Sequence, residues 1–387
     1  MAALSAISAF AQSSVSITGY FDRGYTNVSS TDGTAKARSI GSSAGTTRIE
    51  FRGTEDLGAG NTAGFFVESD WADFGGSSQT STLATGQKAG FGNSENFLSF
   101  AVADKGTLKF GAPNSLTFLN AMAAAPAFST GLGSAYSIRF ATANGISTGA
   151  DSYAGIAQNS ITPAGSVTTN NVGARSIRIA NTLQYATPTI AGFSAAVGYT
   201  PKNNEVSANS GNGNTIGVKE FLVNYANGPL TAGLSNTRFT VGNNGTNQYT
   251  LTLTGSSTQN GTAKALTGGQ TSYQTLLSAG YQVLPNLKLH GGLTQFGSGD
   301  DTYKGKTTQY GVTYTTGAWD VLGQIAKVDD QASTDYDRKV TGFGVNYNWS
   351  KTTRTYFRYE KLNYATSQAA YAGSEATRTA LGMSKAF

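Results

Sequence analysis

The sequence contains no cysteine and a single histidine, His290, among its 387 residues. The absence of cysteine excludes disulfide scaffolds, zinc sites built on thiolates and thiol nucleophiles. One histidine is too few for a histidine metal cluster. The net charge of +5 is spread along the chain, so no basic cluster indicates nucleic-acid binding. We therefore expect no metal, no cofactor and no nucleic-acid partner.

Charges and long hydrophobic runs are also scarce. Charged residues make up 13% of the chain, against about 25% in an average soluble domain. No stretch of 18 apolar residues occurs, which excludes a membrane-spanning helix. Glycine, tyrosine and phenylalanine are abundant, with 49, 19 and 20 residues. This composition argues against a soluble helical protein, because glycine is costly inside helices and few charges remain for the surface.

The first eleven residues, MAALSAISAFA, have the pattern of a signal-peptide remnant. Ala9, Phe10 and Ala11 fit the small-x-small rule of signal peptidase, so we predict that the mature chain starts at Gln12. Residues 12–387 are expected to form a single domain.

Strict alternation of apolar and polar residues is the dominant local pattern, and it indicates β-strands. In Thr341–Trp349, the odd positions from Phe343 onward are apolar or aromatic, and the even positions are glycine or asparagine. The same alternation recurs in Ala191–Tyr199 and Ser272–Val283. In a soluble sandwich the apolar face packs on a second sheet, whereas in a membrane barrel it meets lipid. Alternation alone leaves both open.

The lengths of the connections decide between them. Short turns are predicted near Leu57–Asn61, Asp104–Gly106, Thr187–Ile190, Ala226–Pro229, Leu284–Asn286, Thr316–Ala318 and Ser350–Thr352. Longer polar loops are predicted near Val28–Gly45, Phe74–Gly92, Ala112–Gly173, Pro201–Gly217, Val241–Gln270, Gly297–Gly305, Asp329–Asp337 and Ala365–Glu375. Seven short turns alternating with eight long loops predict an all-β, 16-stranded antiparallel transmembrane β-barrel. A closed barrel also pairs every strand edge, which lipid requires.

At this point the sequence resembles the general porins of Gram-negative bacteria, of the β-proteobacterial type. The resemblance spans nearly all of the mature chain, and its motifs follow one another at the spacing of strand hairpins. They are Val15–Asp22, Arg48–Gly58, Gly64–Ser69, Gly106–Gly111, Asn181–Pro188, Trp349–Lys351 and the terminal Phe387.

The resemblance implies a multi-pass barrel of the cell outer membrane, in contact with lipid and lipopolysaccharide and assembled as a homotrimer. It also implies passive diffusion of small hydrophilic solutes and ions, without enzymatic activity. The long third loop, residues 112–173, is then expected to fold into the lumen as a constriction loop, with a short helix in Asn120–Phe128. Gly41–Gly45 matches the Gly-x-Ser-x-Gly string of hydrolases, but it does not lie on the strand-to-helix turn that a nucleophile elbow requires.

Alternation assigns charged and aromatic side chains to the lumen. In Arg48–Arg52, the outward phase of Ile49 and Phe51 turns Arg48 and Arg52 inward. Asp22, also inward, is expected only to solvate the polar face. In general porins a wall of arginines and lysines faces acids on the third loop. The residues predicted here to line the constriction are Arg48, Arg52, Arg178, Tyr20, Glu68 and Phe97.

The wall departs from the family pattern at two positions. The fourth strand begins Asn96-Phe97 where the family usually has Asn-Arg, and the fifth strand ends Gly111-Ala112 where the family usually has Gly-Arg. Two cations of the wall are therefore missing. The third loop carries only one acid, Asp151.

Three functional readings follow. Inward arginines that face a loop with little negative charge predict an anion-selective diffusion porin. The alternative is a substrate-specific channel, for example for organic or aromatic acids, with a binding site built by the third loop. A third possibility, an adhesin whose barrel does not conduct, is disfavoured because it would gain nothing from inward arginines.

Overall fold

The computed structural model describes residues 14–30, 36–70, 91–92, 94–123, 132–133, 160–163, 181–201, 216–241, 249–252, 263–266, 269–301, 304–330, 338–364 and 375–387. The predicted signal-peptide remnant and Arg178 lie outside these residues.

The described segments contain one helix and twenty strands. The helix is α1 (Leu116–Ala123). The strands are β1 (Ser14–Ser30), β2 (Lys36–Gly41), β3 (Arg48–Gly58), β4 (Asn61–Asp70), β5 (Asn96–Val102), β6 (Gly106–Ala112), β7 (Ser160–Pro163), β8 (Thr182–Ala186), β9 (Phe193–Thr200), β10 (Ile216–Asn227), β11 (Leu230–Val241), β12 (Tyr249–Thr252), β13 (Ala263–Leu266), β14 (Thr271–Leu284), β15 (Leu287–Ser298), β16 (Lys304–Thr316), β17 (Trp319–Asp330), β18 (Arg338–Asn348), β19 (Thr353–Tyr364) and β20 (Glu375–Ala386).

These strands close into a 16-stranded antiparallel barrel, as the sequence predicts. Each strand pairs with the next around the ring, and β20 pairs with both β19 and β1, with Tyr20 opposite Ala386. Strands β2 and β3 share one position in the wall, because β1 pairs with β3 in its first half and with β2 in its second half. Residues 42–47 leave the wall between them.

The connections follow the predicted alternation. Seven short turns join neighbouring strands at one end of the barrel, and the longer connections lie at the other end. The loop prediction for Val28–Gly45 needs one correction, because β2 forms inside it and extends the β1 hairpin. Strands β7, β12 and β13 also form within predicted loops and make a separate three-stranded sheet.

The predicted faces of the strands are confirmed. Phe343, Val197 and Leu277 are 42–54% exposed on the outer face. The alternate positions, such as Asn346 and Ser278, are buried on the inner face. The apolar surface of the protein therefore points away from the barrel, as a lipid-facing wall requires.

An aromatic cluster marks the short-turn end of the barrel. The ring centroid of Tyr347 lies 4.7 Å from those of both Trp319 and Trp349. Amphipathic rings at strand ends are typical of the girdles at membrane interfaces. No helix in the described part of the chain combines the length and apolarity that a membrane span requires.

Candidate functional site: the inner wall of the barrel

Arg48 lies on the inner face of β3, where acids surround its guanidinium. Its Nε is 2.6 Å from Glu50 Oε1 and 3.4 Å from Glu68 Oε2. The guanidinium carbon lies 5.6 Å from the ring centroid of Tyr20. Three predicted site residues, Arg48, Glu68 and Tyr20, are therefore brought together. The charge of Arg48 is compensated locally.

Glu68 is also buried in the wall. Its side chain is one-tenth exposed and accepts a hydrogen bond from Ser94 Oγ. Register places Glu68 directly opposite Glu50 on β3. Because Arg48 contacts both carboxylates, it offsets the repulsion between them.

Arg52 and Phe97 lie in a row of four side chains that crosses four strands. Arg52 pairs with Phe66 and Phe66 pairs with Phe97, while Lys109 lies diagonally across from Phe97 on β6. The guanidinium carbon lies 5.0 Å from the Phe66 centroid, and Lys109 Nζ lies 4.4 Å from the Phe97 centroid. The two rings are stacked, with centroids 5.6 Å apart. We call these four residues the cation–aromatic row.

The row faces the lumen. Phe65, Leu98 and Phe110, which alternate with its members, are 38–64% exposed on the outer face. Neither Arg52 nor Lys109 forms an ion pair with any carboxylate in the described residues. Unlike Arg48, these two cations contact no carboxylate within the described part of the chain.

Strand β19 contributes inward cations that the sequence analysis missed. Arg354 donates to Tyr20 Oη at 3.0 Å and to Ser384 Oγ at 3.1 Å. Arg358 is fully buried and donates to Asn346 Oδ1 at 2.6 Å. Arg378 on β20 pairs with Glu360. The alternation in Thr353–Glu360, with Phe357 outward, is the signal that would have identified Arg354 and Arg358.

Asp22 corrects the expectation that it only solvates the lumen face. It is fully buried, and its Oδ2 accepts hydrogen bonds from the backbone amides of Ser43, Ala44 and Gly45 at 2.5–3.2 Å. Its Oδ1 accepts a hydrogen bond from Tyr356 Oη at 2.6 Å. Asp22 therefore holds the link between β2 and β3 against the inner wall.

The start of the predicted third loop contains α1, which lies on the inner face of β10, β11 and β14. Ser115 caps the helix, since its Oγ accepts from the amide of Phe118 at 3.1 Å. The amide of Leu116 donates to Glu220 Oε2 at 2.9 Å. Glu220 is 5% exposed and alternates with Phe221, which is exposed on the outer face. The helix is thus anchored from within the barrel.

Side chains of α1 extend this anchorage. Asn120 donates to Ser235 Oγ and to the carbonyl of Leu276, each at 3.0 Å, and accepts from Ser278 Oγ at 2.6 Å. A side chain at Gly233 would collide with Asn120. Glycine at this position therefore allows the helix to approach the wall closely.

Leu132 and Gly133 contact a different part of the inner wall. The amide of Leu132 donates to the carbonyl of Ser43 at 2.7 Å, and the amide of Gly133 donates to Glu360 Oε2 at 3.1 Å. Leu132 is fully buried in a cluster with Tyr356. The described parts of the third loop therefore contact the lumen wall at two places, separated around the barrel by β15–β18. The helix at Leu116–Ala123 begins earlier than the predicted Asn120–Phe128.

No metal site is evident: in the described segments, no three His, Asp or Glu side chains are grouped to hold an ion. His290 lies on the inner face, 8% exposed, with Nε2 3.4 Å from Thr313 Oγ1.

Comparisons with known proteins agree with this architecture. A family model described as Gram-negative porin matches residues 1–367. No curated protein sequence matches this chain. Among solved structures, an anion-selective porin from Comamonas acidovorans is similar, with 23% identity and a TM-score of 0.68, covering 97% of this chain and 100% of that chain.

Two further structures show the same barrel. OmpT, an outer membrane protein of Vibrio cholerae, is 13% identical with a TM-score of 0.60, and 97% of this chain and 98% of that chain are covered. The outer membrane channel DcaP of Acinetobacter baumannii is 12% identical with a TM-score of 0.55, and 97% of each chain is covered. At these identities the likeness concerns the fold. With a family model matched over nearly the whole length and a closed 16-stranded barrel, the chain belongs to the Gram-negative porins and is a multi-pass channel protein of the outer membrane.

Proposed function

We propose that this porin lets small hydrophilic solutes and ions diffuse passively and prefers anions. The observation that carries the proposal is the contrast between inward cations and inward acids. Arg52 is exposed to the lumen, and Arg354 is half-buried and donates hydrogen bonds to the neutral oxygens of Tyr20 and Ser384. Asp22, Glu220 and Glu360 are at most 5% exposed.

This contrast favours anions for an electrostatic reason. The buried carboxylates accept hydrogen bonds from the protein, so a passing cation cannot coordinate them directly. The exposed cations can attract a passing anion within about 8 Å at physiological ionic strength. The anion-selective porin from Comamonas acidovorans, which has the same fold, supports the proposal by analogy.

The residues predicted to line the constriction are part of this proposal. Arg48 lies between Glu50 and Glu68 beside Tyr20, so we assign no anion attraction to this cluster, whereas Arg52 supplies attraction and Phe97 narrows the adjacent wall and makes it apolar. Arg178 is proposed as a further inward cation on sequence alternation alone. We further propose that residues 112–173 form the constriction loop, which the contacts of α1, Leu132 and Gly133 support.

The test is the reversal potential of single-residue variants in a planar bilayer under a KCl gradient. Arg52→Gln, Lys109→Gln and Arg354→Gln should each lower the chloride preference about twofold, because a unit charge ~8 Å away in water contributes about 0.5 kcal/mol. Arg238→Gln is the matched control, since Arg238 is exposed in the outward phase of β11. An unchanged potential in all three lumen variants would contradict the proposal.

We also propose a homotrimer, with residues 1–11 removed on export and residues 12–387 folding as one domain. Support comes from strand length. Strands β5, β6, β8 and β9 have 7, 7, 5 and 8 residues, whereas crossing a bilayer takes about 9–11. These four strands form a section of the barrel wall that is too short to cross the bilayer. Neighbouring subunits in a trimer would cover this section.

A further inference from the structure

The cation–aromatic row has a composition that simple ion sieving does not require. Two phenyl rings lie side by side on the inner wall, with a guanidinium at one end and an ammonium at the other. A wall that only attracts small hydrated anions needs the charges but not the rings. The rings also occupy neighbouring strands in register, so backbone pairing holds them in place.

The row is open to the lumen at three of its four members. Arg52 is exposed, and Phe97 and Lys109 are half-buried, whereas Phe66 is 6% exposed between Arg52 and Phe97. A solute can therefore reach both cations and the outer part of the Phe97 ring. Because neither cation pairs with a carboxylate in the described segments, both are available to a solute anion.

The chemistry of these groups selects a particular kind of anion. A guanidinium is planar, so Arg52, whose guanidinium carbon lies 5.0 Å from the Phe66 centroid, can also stack on the aromatic ring of a solute. Lys109 offers an ammonium to the carboxylate of a solute, and the adjacent Phe97 offers its ring edge to the aromatic ring of the same solute. Chloride or acetate can use the cations but not the aromatic surface.

We propose that the cation–aromatic row is a binding subsite for aromatic carboxylates passing through the pore. The carboxylate binds Lys109 or Arg52, and the ring lies against Phe97 or stacks on the Arg52 guanidinium. This inference deepens the proposed function and rests on it, since the solute must enter an anion-accepting pore. It also differs from the sequence-based alternative, because wall residues, rather than the third loop, form the site.

The subsite would hold each solute molecule only briefly and would not block the pore permanently. Each pairwise contact is worth only a small multiple of thermal energy, so bound solute leaves quickly. Flux at low concentration would rise, because the solute is enriched at the wall.

The direct experiment is block of single-channel current by three monocarboxylates in KCl at constant ionic strength. Acetate supplies the charge alone, cyclohexanecarboxylate adds an apolar ring, and benzoate adds an aromatic ring of similar size. We expect the half-blocking concentration of benzoate to be about tenfold below that of acetate and clearly below that of cyclohexanecarboxylate. Benzoate no better than acetate, or no better than cyclohexanecarboxylate, would overturn the assignment.

Variants locate the site. Phe97→Leu keeps the charge and most of the apolar volume, and should raise the half-blocking concentration of benzoate about fivefold while leaving that of acetate unchanged. Phe343→Leu, on the outer face of β18, is the matched control and should change neither value. Equal effects of the two variants would refute the location.

A second variant distinguishes binding at the cation–aromatic row from general electrostatic attraction by the charges of the lumen. Phe97→Arg adds a lumen charge, so a purely electrostatic site would bind benzoate more tightly. The proposal predicts that the preference for benzoate is lost, so the half-blocking concentration of benzoate divided by that of acetate should rise. A ratio that stays the same or falls would refute the role of Phe97. Reversal potentials in KCl without carboxylate, measured on the same channels, test the parent proposal. A potential on the potassium side with benzoate block intact would refute anion preference but not the subsite.

Discussion

Arg48 and Arg52 lie four residues apart on the inner face of β3, yet their surroundings differ. Arg48 contacts Glu50 and Glu68, while Arg52 lies over the ring of Phe66 and has no acid partner among the described residues. The attraction that a pore residue exerts on a passing ion depends on such neighbours as much as on its own charge. Arg52 therefore contributes more to anion preference than Arg48 does.

Asp22 makes a residue-scale prediction about stability. Replacing Asp22 with asparagine keeps the shape but removes the charge that accepts from three backbone amides and a tyrosine hydroxyl. Leaving such buried donors poorly satisfied costs about 1–3 kcal/mol for each group. We expect a lower apparent unfolding temperature of the barrel in detergent at a fixed heating rate.

The control for this change is Glu55→Gln, because Glu55 is exposed near a short turn of β3. It should leave the unfolding temperature where it is. If Asp22→Asn and Glu55→Gln behave alike, Asp22 does not anchor the link between β2 and β3.

Residue-level features were predictable only where the pattern is local. Alternation places Arg48 and Arg52 on the inner face, where the structure has them, and the same rule applied to Thr353–Glu360 identifies Arg354. The environment of Asp22 could not be predicted, because its donors come from residues 21–23 positions away that leave the wall. The proposed roles of the pore residues remain predictions.

At the scale of elements, one carboxylate, that of Glu220, fixes the start of α1 to the inner wall. Glu220 accepts from the Leu116 amide and from Gln184 Nε2 at 3.3 Å. Without it the first turn of α1 loses its link to β10, and a buried amide is left unpaired at a cost of about 1–3 kcal/mol. The helix should then move more freely in the lumen.

Glu220→Ala is therefore expected to raise single-channel conductance and current noise. Glu220→Gln, which loses the same charge but keeps an acceptor, is the matched control and should change both less. Measurement in 1 M KCl, where the Debye length is about 3 Å, suppresses the effect of the lost charge. Identical conductance in the two variants would exclude an anchoring role.

The start of α1 was predicted imprecisely, because the helix begins at Leu116 and the prediction began at Asn120. Ser115 is the residue that marks the observed start, through its N-cap hydrogen bond. Strands β7 and β12 were missed because they pair across long sequence separations, as in Ile161 opposite Leu251.

At the scale of the whole molecule, barrel topology was predictable because turn length and alternation repeat through the chain. The short length of the wall strands β5, β6, β8 and β9 was not part of that prediction, and we propose that subunits meet there. Leu98 on β5 is 64% exposed on this part of the outer face, and Leu277 on β14 is 53% exposed elsewhere. A subunit interface across β5 would bury Leu98 and leave Leu277 in contact with lipid.

We therefore expect the wild-type protein in detergent to have the mass of three chains by light scattering. Leu98→Arg should release monomers, because a charge in an apolar interface is costly to bury. Leu277→Arg carries the same change outside the proposed interface and should remain trimeric. A monomeric wild-type protein would refute the assembly, and trimers of both variants would move the interface away from β5.

The central claim is anion preference through lumen cations, and the reversal potential of the wild-type channel under a KCl gradient tests it most directly. We predict a potential on the chloride side that declines as the mean salt concentration rises, because salt screens the wall charges. A potential on the potassium side would contradict the account of the charges, although the porin barrel would stand.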